Sequence, residues 1–328
     1  MRSSINKKLL FAQVLAILLI AMTFVVTNVC LYNLFTKYFI NHYSYEMREK
    51  SIEINKYLPF DENSLIVKVD SDIKINENIP KIDGATALFP VYSAIVNAIY
   101  PSDSIEYDGK KFGVNSKIDK TGTGNAFKKV IDSDVDIIFC AEPSKEQLNY
   151  AKKIGVDLEL VPIGKDAFVF IVNSKNEVDD LTVNQIKDIY TGKINNWKDL
   201  GGEDKNIIPL RRKQGSGSET AMVSFMGGIE MKHKLTMPIG RRIGYSFRYY
   251  IENVLNDRNI KILSLNGIYP SKENIRNDAY PISGYFYMIY RKDNDNKNID
   301  IIKNYILSRE GQDIIDKTGY VSLLSGIN

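Results

Sequence analysis

Hydrophobic positions along the chain follow three patterns. From Leu9 to Phe35 they are nearly continuous, with no charged residue, and about 20 apolar residues suffice to cross a bilayer core as a helix. This predicts a membrane-spanning helix, against the alternatives of a buried core helix or a cleaved signal peptide. Further on, short β-like runs (Ile137 to Cys140, Ala167 to Val172, Ile207 to Leu210, Lys261 to Leu265, Tyr285 to Tyr290) alternate with helical spacing. The helical faces are Val91/Ala94/Ile95/Ala98/Ile99, Met222/Phe225/Met226/Ile229 and Ile301/Ile302/Tyr305/Ile306. That alternation predicts α/β layering.

Residues 36–75 carry no long apolar period and read as a stalk and linker, and the Asp293 to Asn298 run reads as a polar loop. The 328 residues hold 43 Lys and Arg against 40 Asp and Glu. Without Arg2, Lys7 and Lys8, ahead of the apolar run, the balance is 40 against 40. A neutral body gives no basic surface for nucleic acid. Those N-terminal charges compete with Lys37, Arg48 and Lys50 beyond the run, leaning the orientation towards N-terminus inside. Two histidines, His42 and His233, are too few for a His-rich metal site or a Ser-His-Asp enzyme. Cys30 lies in the apolar run, preceded by Thr27, Asn28 and Val29 and not by the small residue that lipoprotein processing needs. Cys140 lies in a strand-like stretch, so no disulfide is predicted.

Candidate chemistry lies in three polar turns that open helices. They are Asp83-Gly84-Ala85-Thr86, Thr121-Gly122-Thr123-Gly124 and Gly215-Ser216-Gly217-Ser218, the last with Arg212 four residues before Ser216. The first N–H groups of a helix have no internal partner and the helix dipole is positive there, so a turn without bulky side chains admits an oxyanion. Each turn alone also fits an ordinary N-cap, and Thr86 could cap its helix or touch a ligand. Three together, one with an arginine, make an anion site the leading reading. The third turn lacks the Gly-Lys-Ser/Thr of a phosphate-binding loop and the third small residue of a dinucleotide fingerprint. Ser71 and Lys74 match Ser-x-x-Lys without its companion motifs. Tyr245 to Tyr250 reads as either cleft lining or core, and Trp197 as a packing residue.

These residues resemble the substrate-binding proteins of phosphate ABC transporters, the PstS-like family of the periplasmic-binding-protein superfamily. The likeness runs from about Lys81 to Leu324. It takes in Asp83-Gly84-Ala85-Thr86 with Pro90-Val91-Tyr92, Ile189 to Trp197, Leu200-Gly201-Gly202, Arg212-x-x-Gly215-Ser216-Gly217-Ser218, Ile243-Gly244-Tyr245, Asn274-Ile275-Arg276 with Tyr280-Pro281, and Gly319-Tyr320-Val321. It implies an α/β, two-lobed periplasmic-binding-protein-like fold with a two-strand hinge near Ile163 to Phe168 and Ala279 to Gly284. Lobe I would combine 76–165 with 280–328 and lobe II would be 166–279, preceded by a cytoplasmic tail at 1–8 and a transmembrane signal anchor at 9–35.

Carried over from the family, the phosphate ligands would be Thr86, the Ala87 N–H, Thr123, Arg212, Ser216, Gly217 and Ser218. Gly122 or Gly124 could replace Thr123, since the spacing to Glu142 is one residue longer than the family's. Glu142 stands where the family commonly has an Asp that accepts the proton of hydrogen phosphate. The resemblance thus implies a non-enzymatic, membrane-tethered extracytoplasmic protein that hands inorganic phosphate to an ABC permease, with no cofactor, no metal and no nucleic acid, acting as a monomer. An anchored sensor, a phosphoester enzyme and a binder of another tetrahedral oxyanion are the rival readings.

Overall fold

The computed structural model describes residues 2–43, 46–47, 52–232 and 240–324. Arg48, Lys50 and His233 lie outside the described residues. The chain divides into two units, Met1–Tyr45 and Glu46–Asn328.

The first unit contains one helix, α1 (Arg2–Tyr43). Its stretch Phe11–Leu34 has a mean hydropathy of 2.6, and 24 residues at the helical rise span about 36 Å, enough for a bilayer core. Polar side chains inside this stretch bond back to the helix: the Thr27 hydroxyl donates to the Thr23 carbonyl at 2.7 Å and the Asn28 amide to that of Phe24 at 2.8 Å. These bonds limit the cost of carrying them in an apolar environment.

The second unit is α/β. Its first half runs β1 (Ile82–Gly84), α2 (Phe89–Ile99), α3 (Thr123–Ile131), β2 (Ile137–Ala141), α4 (Lys145–Lys153) and β3 (Leu158–Asn173). Then come β4 (Asp180–Leu181), α5 (Val183–Thr191), β5 (Ile207–Pro209), α6 (Gly217–Met226) and β6 (Arg241–Phe247). The chain ends with β7 (Ile260–Ile262), β8 (Ser264–Leu265), α7 (Lys272–Arg276), β9 (Ser283–Arg291), α8 (Asn298–Leu307) and α9 (Arg309–Thr318).

One seven-stranded sheet runs β1-β2-β9-β3-β6-β5, with β7 also paired to β3, while β4 and β8 pair separately. Its two halves share β3. Up to Ala167 this strand pairs with β9, and from Phe168 it pairs with β6, with a register shift between Pro162 and Gly164. The Phe168 N–H donates to the Ile282 carbonyl at 3.0 Å, and Lys165 and Val321 exchange both backbone bonds. The two segments read as crossings are therefore hydrogen-bonded to each other, with a third strand-like contact from the C-terminal end. Lys261 to Leu265, read as one strand, is divided at Leu263 between β7, on β3, and β8, on β4.

Separate cores follow. The β1-β2-β9 half buries Ile82, Phe89, Ile95 and Phe139 on one face and Phe127, Val130, Ile138 and Cys140 on the other. The β6-β5 half buries Phe170, Trp197, Met222 and Tyr245. Trp197 packs as expected, 1% exposed, with its indole N–H on the Arg241 carbonyl. The aromatic run is core as well, with Tyr245, Tyr249 and Tyr250 buried. The cysteines are free, Cys30 exposed and Cys140 buried, and burial pushes the Cys140 thiol up to about 12.

The spacer expectation needs correcting over residues 52–75. Ile52, Ile66 and Ile75 are buried in the first core, and the Phe60 N–H reaches the Asn97 side chain at 2.7 Å. Isolated apolar residues spaced 9 to 14 apart carry no period, yet each fills a slot on α2 and its neighbours.

Candidate functional site

Each of the three turns is built by its local sequence. Gly122, at φ +87°, leads into α3, and Gly215, at φ +81°, leads into the cap of α6. Both adopt the left-handed backbone that favours glycine. Ser216 then caps α6 by accepting the Glu219 N–H at 3.2 Å. With a lone pair engaged, its hydroxyl hydrogen remains free to point outward. The first turn differs from expectation. Thr86 opens a 3-10 turn, Thr86–Leu88, and α2 begins after Leu88 with Pro90 in its first turn. Thr86 therefore does not cap α2.

The fold brings the turns together. The Gly122 N–H donates to the Gly84 carbonyl at 3.1 Å. Asp83, fully buried, accepts the Gly84 N–H at 2.7 Å, the Thr121 N–H at 2.8 Å and the Thr121 hydroxyl at 2.6 Å. Lys129 balances this carboxylate at 3.1 Å and Asp119 at 2.7 Å. Burial opposes the charge on Lys129, but the bonds to Asp119 and Asp83 prevail and raise its pKa. The second turn meets the third: a methyl group built on Gly124 would stand 3.1 Å from the Gly215 carbonyl oxygen, and one on Gly217 would stand 3.3 Å from Thr123 Oγ1. The N-termini of α3 and α6, from opposite halves of the sheet, thus face one another.

Arg212 precedes the third turn and is buried, 7% exposed. Its backbone N–H is held by Glu219 at 3.2 Å and by the Tyr245 oxygen at 3.0 Å. Glu219, 5% exposed, is also ion-paired with Arg211 and accepts a hydrogen bond from the Tyr245 hydroxyl. Burial, then the bond to Glu219, raises the Tyr245 pKa. Three donors meet this carboxylate, so it adds little open negative charge beside the turn. Glu219, the partner of Tyr245, is a neighbour of the arginine turn that the sequence reading missed. The signal was present in Ser216-x-x-Glu219, the capping-box pattern. Only the serine half forms as a cap, and the glutamate side chain turns to Arg211 and Tyr245 instead.

The other expected ligands differ in burial and surroundings. Ser218 is buried and Thr123 half-buried. Ala87 packs against the second core, and its carbonyl accepts the Tyr320 hydroxyl at 2.8 Å. Glu142 is exposed just after β2, next to Tyr287, whose pKa is raised by burial and then by the Glu142 charge. Among the described residues no cluster of three or more His, Cys, Asp or Glu could hold a metal ion. What the three turns and Arg212 offer is backbone N–H groups, hydroxyls and one buried guanidinium, a set suited to an oxyanion.

The PBP superfamily domain profile matches residues 76–309. The phosphate-binding protein PstS of Staphylococcus epidermidis is 30% identical over 224 residues, covering 62% of this chain and 68% of its own. The chain belongs to the PstS-like substrate-binding proteins of the PBP superfamily. PstS of Borreliella burgdorferi is 25% identical over 273 residues, 76% of this chain and 91% of that one. A phosphate-bound crystal structure from Clostridium perfringens, of a substrate-binding protein assigned to a phosphate ABC transporter, superposes with a TM-score of 0.58 at 27% identity. It covers 75% of this chain and 99% of that one. The ABC-type phosphate transport receptor of Vibrio cholerae shares the fold at a TM-score of 0.53 and 18% identity, over 74% and 99% of the two chains. Members of the family bind solutes and are not enzymes.

Proposed function

We propose that this chain captures inorganic phosphate outside the cytoplasm and presents it to the permease of an ABC transporter while tethered to the membrane through α1. The approach of the three turns to one another, with buried Arg212 just ahead of the third, carries the reading. Thr86, the Ala87 N–H, Thr123, Ser216, Gly217 and Ser218 would donate to the phosphate oxygens and Arg212 would supply the charge. Exposed Glu142 would accept the remaining proton of hydrogen phosphate once the halves close. The lobes would be 76–165 with 280–328, and 166–279, turning about the switch in β3. The apolar stretch of α1 supports a single-pass anchor, and the charges ahead of that stretch favour the soluble unit outside.

Binding by dipoles and one buried guanidinium responds weakly to salt, unlike binding on an exposed basic patch. Calorimetric titration of the full chain in detergent with phosphate, at two salt concentrations, tests this. One-to-one binding with little salt dependence is expected. No binding, or a steep salt slope, would overturn the proposal.

A further inference from the structure

The segment that follows α1 does not run free to the first core. Glu46 bridges Arg211 in a parallel strand contact, and the Met47 N–H donates to the Arg211 carbonyl at 2.7 Å. The Met47 side chain packs on the second core. Its sulfur lies directly over Gly244 in the middle of β6, 2.8 Å from where a methyl group on that glycine would stand. Only a residue without a side chain leaves this seat open. Five positions on, Ile52 is 4% exposed in the first core. The chain between α1 and β1 is therefore fastened to both halves of the sheet.

Its attachment to the second half is made through Arg211. The Arg211 side chain is paired with Glu219, and Glu219 holds the backbone of Arg212. One backbone bond, from the Met47 N–H to Arg211, and the Arg211–Glu219 ion pair connect Met47 to the arginine turn. We propose that Glu46–Met47 is a strap, with Met47 a positioning residue that holds the Arg212 to Ser218 turn in its anion-binding form. This inference rests on the phosphate reading for its ligand, but not for its contacts.

The test uses the full chain in lipid nanodiscs and three variants. Met47→Pro removes the N–H that Arg211 accepts, Gly244→Val fills the sulfur's seat, and Met47→Leu keeps both the bond and an apolar side chain. Amide hydrogen exchange across residues 211–218 is read without ligand, and phosphate affinity is read by equilibrium dialysis. Both disruptive variants should speed exchange in that segment and weaken phosphate binding, each by about tenfold, the scale of one net hydrogen bond. Met47→Leu should stay near the parent, and exchange in α2 should not change. Unaltered exchange at 211–218 in both disruptive variants would overturn the strap, whatever the phosphate result. Faster exchange at 211–218 in a chain that binds no phosphate would support the strap and sink the phosphate reading alone.

Discussion

Removing the Glu219 side chain should do damage out of proportion to its size. The carboxylate meets Arg211, the Tyr245 hydroxyl and the Arg212 N–H in one buried cluster. In Glu219→Ala the Tyr245 hydroxyl loses its acceptor, at about 1–3 kcal/mol for a buried unsatisfied group. The Arg212 N–H keeps the Tyr245 oxygen at 3.0 Å and contributes less. Arg211, whose side chain is 30% exposed, can recover water, so its loss is discounted to about 1 kcal/mol. The sum is about 3 kcal/mol, at the lower edge of the roughly 3–5 kcal/mol seen when one partner of a buried pair is removed. Glu219→Gln keeps an acceptor and should cost about half as much.

Trp197 is the chain's one tryptophan and is buried in the same core, so its fluorescence in urea reports unfolding of this half. A double-mutant cycle sharpens the assay. Glu219→Ala and Tyr245→Phe should be less damaging together than the sum of the singles by about 1 kcal/mol, because they break one shared bond. Additive effects, or a Glu219→Ala cost below about 1 kcal/mol, would refute the cluster as the support of the arginine turn.

Two further outcomes follow from buried carboxylates. Asp83→Asn keeps the shape but weakens three hydrogen bonds and the Lys129 pair, so thermal unfolding should show a loss of about 2 kcal/mol; an unchanged melting temperature would count against Asp83 as the clamp between the first two turns. Asp166, at the partner switch in β3, is raised to about 6 by burial, against the pull of Arg248 and of N–H bonds from Ala167 and Tyr249. A folded pKa above the unfolded value of about 4 means that protonation favours the folded state, and this contribution is lost as pH rises from 4 through 6. Asp166→Asn removes the loss, so relative to the parent its stability should improve by about 3 kcal/mol between pH 4 and 7. A flat difference across that range would contradict the assignment.

Much of the fold was legible because its signals are local. The apolar faces of α2, α6 and α8 appear at helical spacing, and the glycines that lead into α3 and α6 sit where the turns were read. The meeting of the turns was not legible, since Thr123 and Gly217 are far apart in sequence and come from opposite halves of the sheet. Glu219 was hidden for a related reason. A glutamate in the first turn of a helix reads as a solvated cap residue, and only the tertiary approach of Arg211 and Tyr245 makes it a buried support. The docking of residues 46–47 and 52–75 escaped notice because single buried residues far apart produce no period. The resemblance carried the ligand set further than the residues alone did, and Glu142 is where the family's pattern and this sequence part.

The proposed site holds one hydrogen phosphate between three turns and Arg212. Its most direct measurement is retention of radiolabelled phosphate by the full chain against a large excess of sulfate, repeated with Arg212→Lys. Sulfate should displace almost none of the label, because it has no proton to offer Glu142, and the lysine variant should lose binding at least tenfold with its forked donor gone. Equal displacement by sulfate and phosphate, or undiminished retention by Arg212→Lys, would contradict this assignment.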